Sequence, residues 1–297
     1  MRVQPKGLVF LAAMRDRLLP WLVPAIITAT VLPASSQVTI PLMVTVSPDR
    51  AVLGDTLAIV VNASEQPTVE VAGKALPVFS IGPQQWRAFV ATTPLQTPGR
   101  RSLVVRAGNE TRNMLLWVGD RSFPVQSIWL PPGKDSSGTD LEFDRVDAFK
   151  ALVTPERLWQ GAFRRPNSGP VTTPYGVRRY YNGVFAKDYF HRGLDYAGPK
   201  GSPVVAAQRG RVALVGRESQ GFLIHGNTIG IDHGQGVLTI YLHLDQIRVQ
   251  EGQMVEAGQV IGTVGNTGAA TGPHLHWGLY VNGECVDPRS WLAQGWQ

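Results

Sequence analysis

Histidine is absent from the first 190 residues of this chain; all six copies fall between His191 and His276. The side chain that most often binds metals and changes charge near neutral pH is thus confined to one segment. Cysteine is almost absent. The single Cys285 cannot form an internal disulfide, which excludes a disulfide framework, and it reads as a small core residue rather than a nucleophile. No folded part carries a large excess of one charge. The formal +6 divides into +3 over residues 1–36, +2 over 37–165 and +1 over 166–297. That is not the concentrated basic footprint of a nucleic-acid binder, so nucleic acid is not expected as a partner. The sequence also lacks G-x-G-x-x-G, a P-loop and G-x-S-x-G, leaving nucleotide and serine-hydrolase chemistry without support.

A long apolar run is missing as well. Leu18 to Leu32 is interrupted by Pro20 and Pro24 and is shorter than the roughly twenty residues of a spanning helix. Arg2, Lys6, Arg15 and Arg17 precede it, and the small residues Ala34, Ser35 and Ser36 follow. Residues 1–36 are therefore expected to be a cleaved export signal, with Met14 able to start a complete signal of its own. The expected location is the periplasm or cell envelope, with no stable membrane span after cleavage.

What is present reads as β-structure. Apolar residues make up 43% and charged residues 17%, ordinary for a folded protein. Between residues 38 and 130 the segments VTIPLMVTV, DTLAIVVNA, TVEVAGKAL, WRAFVATT, RSLVVRAG, RNMLLWVG and PVQSIWL are rich in Val, Ile, Thr and aromatics and are separated by Gly, Pro, Asp and Asn. This spacing predicts an immunoglobulin-like β-sandwich over 37–130 without a disulfide. A connector follows over 131–165. It contains a short amphipathic helix from Glu142 to Val153, with Phe143, Val146, Phe149 and Val153 on one stripe. Leu158, Trp159 and Phe163 are expected to anchor this connector to a second β-domain over 166–297. The expected fold class is all-β.

The candidate site lies in that second part. His274 and His276 are two residues apart, so on a strand both can point into one cleft. His191 and Asp195, in His191-Arg192-Gly193-Leu194-Asp195, would add an imidazole and a carboxylate. A His, Asp, His set is the pattern of catalytic zinc sites that keep a fourth position open. In Val237 to Leu244, strict alternation puts Leu238, Ile240, Leu242 and Leu244 on a core face and His243 on the opposite face, toward a groove.

With HRGLD, GNTIGIDHGQGVLTIYLHL and GQMVEAGQVIGTVGNTGAATGPHLHW in that order, residues 170–292 resemble the lysostaphin/LytM-type zinc metallopeptidases. The resemblance implies an antiparallel, duplicated hybrid motif-like β-fold with a groove, one Zn²⁺ per chain, and hydrolysis of peptide bonds in bacterial peptidoglycan. It implies His191, Asp195 and His276 as zinc ligands, and His243 and His274 as non-ligand catalytic histidines. A tyrosine before the first ligand often stabilises the oxyanion in this family; Tyr180, Tyr181 and Tyr189 are the candidates. His225 and His233 are read as rim or structural residues. The sequence holds no H-E-x-x-H glutamate, so an imidazole must move the proton. Stem or bridge peptides of peptidoglycan are the expected partner, and a regulatory protein is an open possibility. The alternatives are a non-catalytic binder or activator of a wall hydrolase, a carrier domain, and a D,D-carboxypeptidase.

Overall fold

The computed structural model describes residues 40–129 and 137–296. The expected export signal, residues 1–36, lies outside the described residues, as does the start of the connector. Nine strands come first: β1 (Met43–Ser47), β2 (Ala51–Val52), β3 (Thr56–Asn62), β4 (Thr68–Val71), β5 (Lys74–Leu76), β6 (Phe79–Gly82), β7 (Gln85–Ala91), β8 (Gly99–Ala107) and β9 (Glu110–Gly119). They form one sheet in the order β1-β3-β7-β6 and another in the order β2-β9-β8-β4-β5. The apolar positions explain the packing. Ile59 and Val61 on β3, Val90 on β7, Val69 on β4 and Leu103 and Val105 on β8 share one apolar cluster, so each sheet buries one face against the other.

The first sheet uses its second face too. Phe89 on β7 lies 5.5 Å from Trp291, 5.9 Å from Trp296 and 6.3 Å from Trp159, ring centre to ring centre. Beside it Arg87 is buried, donating to Gln235 Oε1 at 2.8 Å and to the Trp296 carbonyl at 3.2 Å. Burial, with Arg157 nearby, pushes its guanidinium down to about 10. Trp159 and Phe163 are buried as anchors, while Leu158 is only half-buried.

The segment PVQSIWL departs from its expected place in the sandwich. Its strand, β10 (Val125–Ile128), joins neither of the first two sheets. The connector helix, α1 (Asp140–Lys150), begins two residues before the expected start and ends three before the expected end. Thr139 sets the start by accepting the Glu142 amide through Oγ1. Pro155 follows and disfavours helical backbone at Thr154. Its buried stripe is Glu142, Val146 and Phe149, whereas Phe143 and Val153 are exposed. Phe149 packs where Gly230 leaves room; a Cβ there would stand 2.7 Å from the Phe149 ring.

The remaining strands are β11 (Val171–Thr173), β12 (Arg178–Tyr181), β13 (Val184–Phe185), β14 (Leu194–Ala197), β15 (Pro203–Val205), β16 (Gly210–Gly216), β17 (Asn227–Gly234), β18 (Val237–Ile247), β19 (Met254–Val255), β20 (Val260–Val264), β21 (His274–Val281) and β22 (Glu284–Val286), followed by α2 (Pro288–Ala293). β10 runs parallel to β12, which pairs with β13. The ten-stranded sheet has the path β11-β14-β21-β18-β17-β16-β19, with β15, β20 and β22 branching from it. The fold is all-β, as expected, and the large sheet is antiparallel throughout.

Candidate metal centre

Strand register assembles most of the site. Asp195 on β14 stands opposite His276 on β21, and His276 stands opposite Leu242 on β18. Residues directly opposite in an antiparallel sheet share a face. His191 arrives from the segment before β14, where its amide donates to the Val177 carbonyl and its own carbonyl accepts from Gly176. Gly193 allows the turn between His191 and Asp195 to lie flat on β21: a Cβ there would collide with the Trp277 carbonyl and stand 2.9 Å from His276 Nε2.

The three side chains are buried and converge. His191 Nε2 is 2.9 Å from Asp195 Oδ1 and 3.0 Å from His276 Nδ1, and His276 Nδ1 is 2.9 Å from the same Oδ1. His191 Nδ1–H donates to the Pro174 carbonyl at 2.9 Å, which in the neutral ring leaves Nε2 as a lone pair. Protons on the two rings can bridge to Asp195 Oδ1, and a cation among the three atoms would take their place. Tetrahedral zinc, with bonds near 2.0–2.1 Å, asks for ligand spacings of roughly 3.3 Å, a small expansion of this triangle. The donor set therefore fits zinc. Burial alone would raise Asp195, but the hydrogen bonds from His191 and His276 outweigh it and hold the carboxyl well below the usual range. Burial pushes His276 down to about 4 despite Asp195. Both groups thus favour the forms that bind metal.

His243 and His274 stand beside the triangle. Their ring centres are 4.8 Å apart, and His243 is 6.3 Å from the His276 ring. His243 Nδ1–H donates to the Thr267 carbonyl at 2.9 Å, and His274 Nδ1–H to the Gly272 carbonyl at 2.8 Å. In the neutral ring Nε2 is then the acceptor nitrogen, and that of His274 lies 3.9 Å from Asp195 Oδ1. Burial, with His274 and His276 adding to it, pushes His243 down to about 3.

The expected reason for His243's orientation is corrected. β18 is buried on both faces from Val237 to Leu244, and it is Leu242 that shares the face of His276. His243 joins them because its φ is +62°, a left-handed step that interrupts the alternation, and the β17–β18 register shifts there.

The other candidates separate. Tyr189 and Tyr181 hydroxyls accept from Arg179 Nη1 at 2.8 and 3.3 Å, whereas Tyr180 is exposed and packs on Phe185. His233 is fully buried between the Arg209 carbonyl and the Thr239 hydroxyl, both 2.8 Å away. His225 Nδ1 lies 2.6 Å from Glu142 Oε1. Arg179 and Glu142 were not anticipated. The adjacent Arg178-Arg179-Tyr180-Tyr181 run was a usable signal for the first; Glu142 looked like an ordinary charge on a helix.

A model of peptidase family M23 matches residues 189–288. A solved Pseudomonas aeruginosa structure assigned to peptidase M23 is 30% identical, with 83% of this chain and 96% of that chain covered and a TM-score of 0.62. The Neisseria meningitidis DD-carboxypeptidase/endopeptidase Mpg is 40% identical over 120 residues, covering 40% of this chain and 26% of the relative. The Vibrio cholerae peptidoglycan DD-endopeptidase ShyC is 44% identical over 120 residues, with 40% and 27% covered. The match thus spans about a quarter of the length of these curated relatives. The Pseudomonas likeness extends well beyond the metal-centre strands and takes in nearly the whole of that structure, so this chain belongs to peptidase family M23.

Proposed function

We propose that this chain is a zinc-dependent endopeptidase that hydrolyses peptide cross-links of bacterial peptidoglycan, acting in the cell envelope after export. The observation that carries the proposal is the convergence of His191, Asp195 and His276 beside two histidines that are fixed as Nδ1–H tautomers and have no place among the three ligand atoms. His191 Nε2, Asp195 Oδ1 and His276 Nδ1 would hold one Zn²⁺. When bound, zinc supplies Lewis acidity and lowers the pKa of water toward neutrality.

The chain's own residues carry the proton. His243 and His274 share the two tasks: one Nε2 accepts a proton from the attacking water, and the pair delivers one to the nitrogen of the cleaved amide. Carbon gains the hydroxyl, the C–N bond breaks, and a carboxylate and an amine leave. The low pKa of His243 keeps that ring unprotonated at neutral pH, as an acceptor must be. Of the three tyrosine candidates before the first ligand, Tyr181 and Tyr189 are gathered by Arg179. The proposed division is a signal (1–36), a β-sandwich whose last strand is β9, a connector running to residue 165 and a catalytic part (166–297).

The relative named both carboxypeptidase and endopeptidase supports a second reading as a D,D-carboxypeptidase. Digesting purified peptidoglycan with residues 37–297 and analysing the products by mass spectrometry decides. Conversion of cross-linked dimers to monomers supports the endopeptidase. Loss of terminal D-Ala alone replaces it with the carboxypeptidase, and no cleavage by zinc-loaded protein leaves a binder or activator.

A further inference from the structure

We propose that Glu142, on the connector helix, is a positioning residue for His243, an inference that rests on the catalytic role proposed for that histidine. The Glu142 side chain is fully buried, a costly place for a carboxylate unless its lone pairs are filled. They are filled by one short loop. Oε1 accepts the His225 amide at 2.6 Å and faces His225 Nδ1 at 2.6 Å, Oε2 accepts the Leu223 amide at 3.1 Å, and both oxygens share the Ile224 amide at 3.1 and 3.2 Å. Burial pushes this carboxyl upward, but the bonds from His225 and Ile224 outweigh it and hold it below its usual value.

The loop delivers that order to His243 along two routes. The His225 carbonyl accepts the His243 amide at 3.0 Å. The Ile224 carbonyl accepts the Ala269 amide at 2.9 Å, steadying the turn whose Thr267 carbonyl takes His243 Nδ1–H. Thr267 is tied in turn by its hydroxyl, which accepts from the Asn227 amide and donates to the Leu244 carbonyl, both at 2.9 Å. A non-glycine residue at φ +62° persists only where its surroundings over-determine it. Glu142 is the buried charge at the far end of both routes, and Thr139, donating to the Gly221 carbonyl at 2.8 Å, fastens the helix start to the same loop.

The test uses the mature, zinc-loaded chain and its Glu142→Gln and Glu142→Asp variants, with His243→Ala as reference. Zinc content, kcat and KM on a soluble cross-linked muropeptide, and the His243 ring ¹⁵N signals (assigned by their loss in His243→Ala) are measured. Glu142→Gln should keep its zinc and its KM while kcat falls roughly 10–100-fold, the scale of a small misplacement of a catalytic group. The His243 Nδ1–H signature should change, and Glu142→Asp should recover part of kcat. An unchanged His243 signature in a folded Glu142→Gln overturns the proposal, whether or not kcat falls, because Glu142 is then only a staple for the helix. If Glu142→Gln does not fold, the same reading on Glu142→Asp decides. Full activity in His243→Ala would instead sink the catalytic assignment, and the ring signal would still report whether Glu142 sets that side chain.

Discussion

Leu242 and His276 stand directly opposite each other on β18 and β21, and His243 reaches their face only through a left-handed step in its own backbone. The groups at the candidate metal centre therefore come by different means. Asp195, His274 and His276 are placed by strand register, His191 by a loop pinned at its amide, and His243 by an irregularity. Register is stiff, and a bulge is only as firm as what surrounds it.

The proposed roles, rather than the means of placement, separate the histidines experimentally. His191→Ala, Asp195→Ala and His276→Ala each remove one ligand atom, so zinc content and hydrolysis should fall together. His243→Ala and His274→Ala should keep close to one zinc per chain and lose roughly 10²–10⁴-fold in rate. Metal analysis beside initial rates checks both. Empty His274→Ala with loaded His276→Ala would exchange the roles of these two residues.

Chelation should abolish hydrolysis and leave the far-UV circular dichroism nearly unchanged. The strands that carry the ligands are held by their own ladders and by a large apolar core. Loss of the β signal on chelator addition would show that metal binding and folding are one event here.

Stability should fall as the solution is acidified. His233 is fully buried and its pKa is pushed down to about 4 by burial, against a usual value near 6.5. The unfolded chain therefore binds a proton more readily than the folded one between these values. The stability of the neutral ring is complete above about pH 6.5, is lost as pH falls toward 4, and is flat below. For this one group the loss amounts to about 3 kcal/mol. Urea unfolding of the metal-free protein from pH 7.5 to 4 measures it, and His233→Gln should show a shallower decline than the parent.

Phe89→Ala should destabilise the protein by about 3–5 kcal/mol. The ring lies on β7, far in sequence from His191, Asp195 and His276, yet it packs on Trp159, Trp291 and Trp296. A single cooperative urea transition shifted to lower concentration is expected. Two separate transitions would show that the early sheets and the ten-stranded sheet unfold independently.

Much of the site was legible because its residue types are scarce. Six histidines confined to one segment, with H-x-H on a strand, left few ways to be wrong about which side chains meet. The strands before residue 120 were legible from β-branched runs between turn residues. Three features were not. β10 carries the same pattern as its predecessors, and pairing partners are not written in a strand's composition. Glu142 and Val146 are four residues apart and share a helix face, but a stripe read from apolar letters alone passes over a buried carboxylate. His243 follows an unbroken alternation, so nothing local announces that its backbone turns over; the shift shows only in its pairing with β17 and in the Thr267 carbonyl that takes its ring N–H.

The pairing of Asp195 with His276 has a further consequence for affinity. His191 and His276 are 85 residues apart in the chain, and bringing such distant points together in a flexible polymer costs about 4 kcal/mol of loop-closure entropy. The ladder between β14 and β21 closes that loop when the sheet forms, before any ion arrives. An incoming cation would have no polymer chain to gather, because the sheet already holds its three proposed donor atoms together.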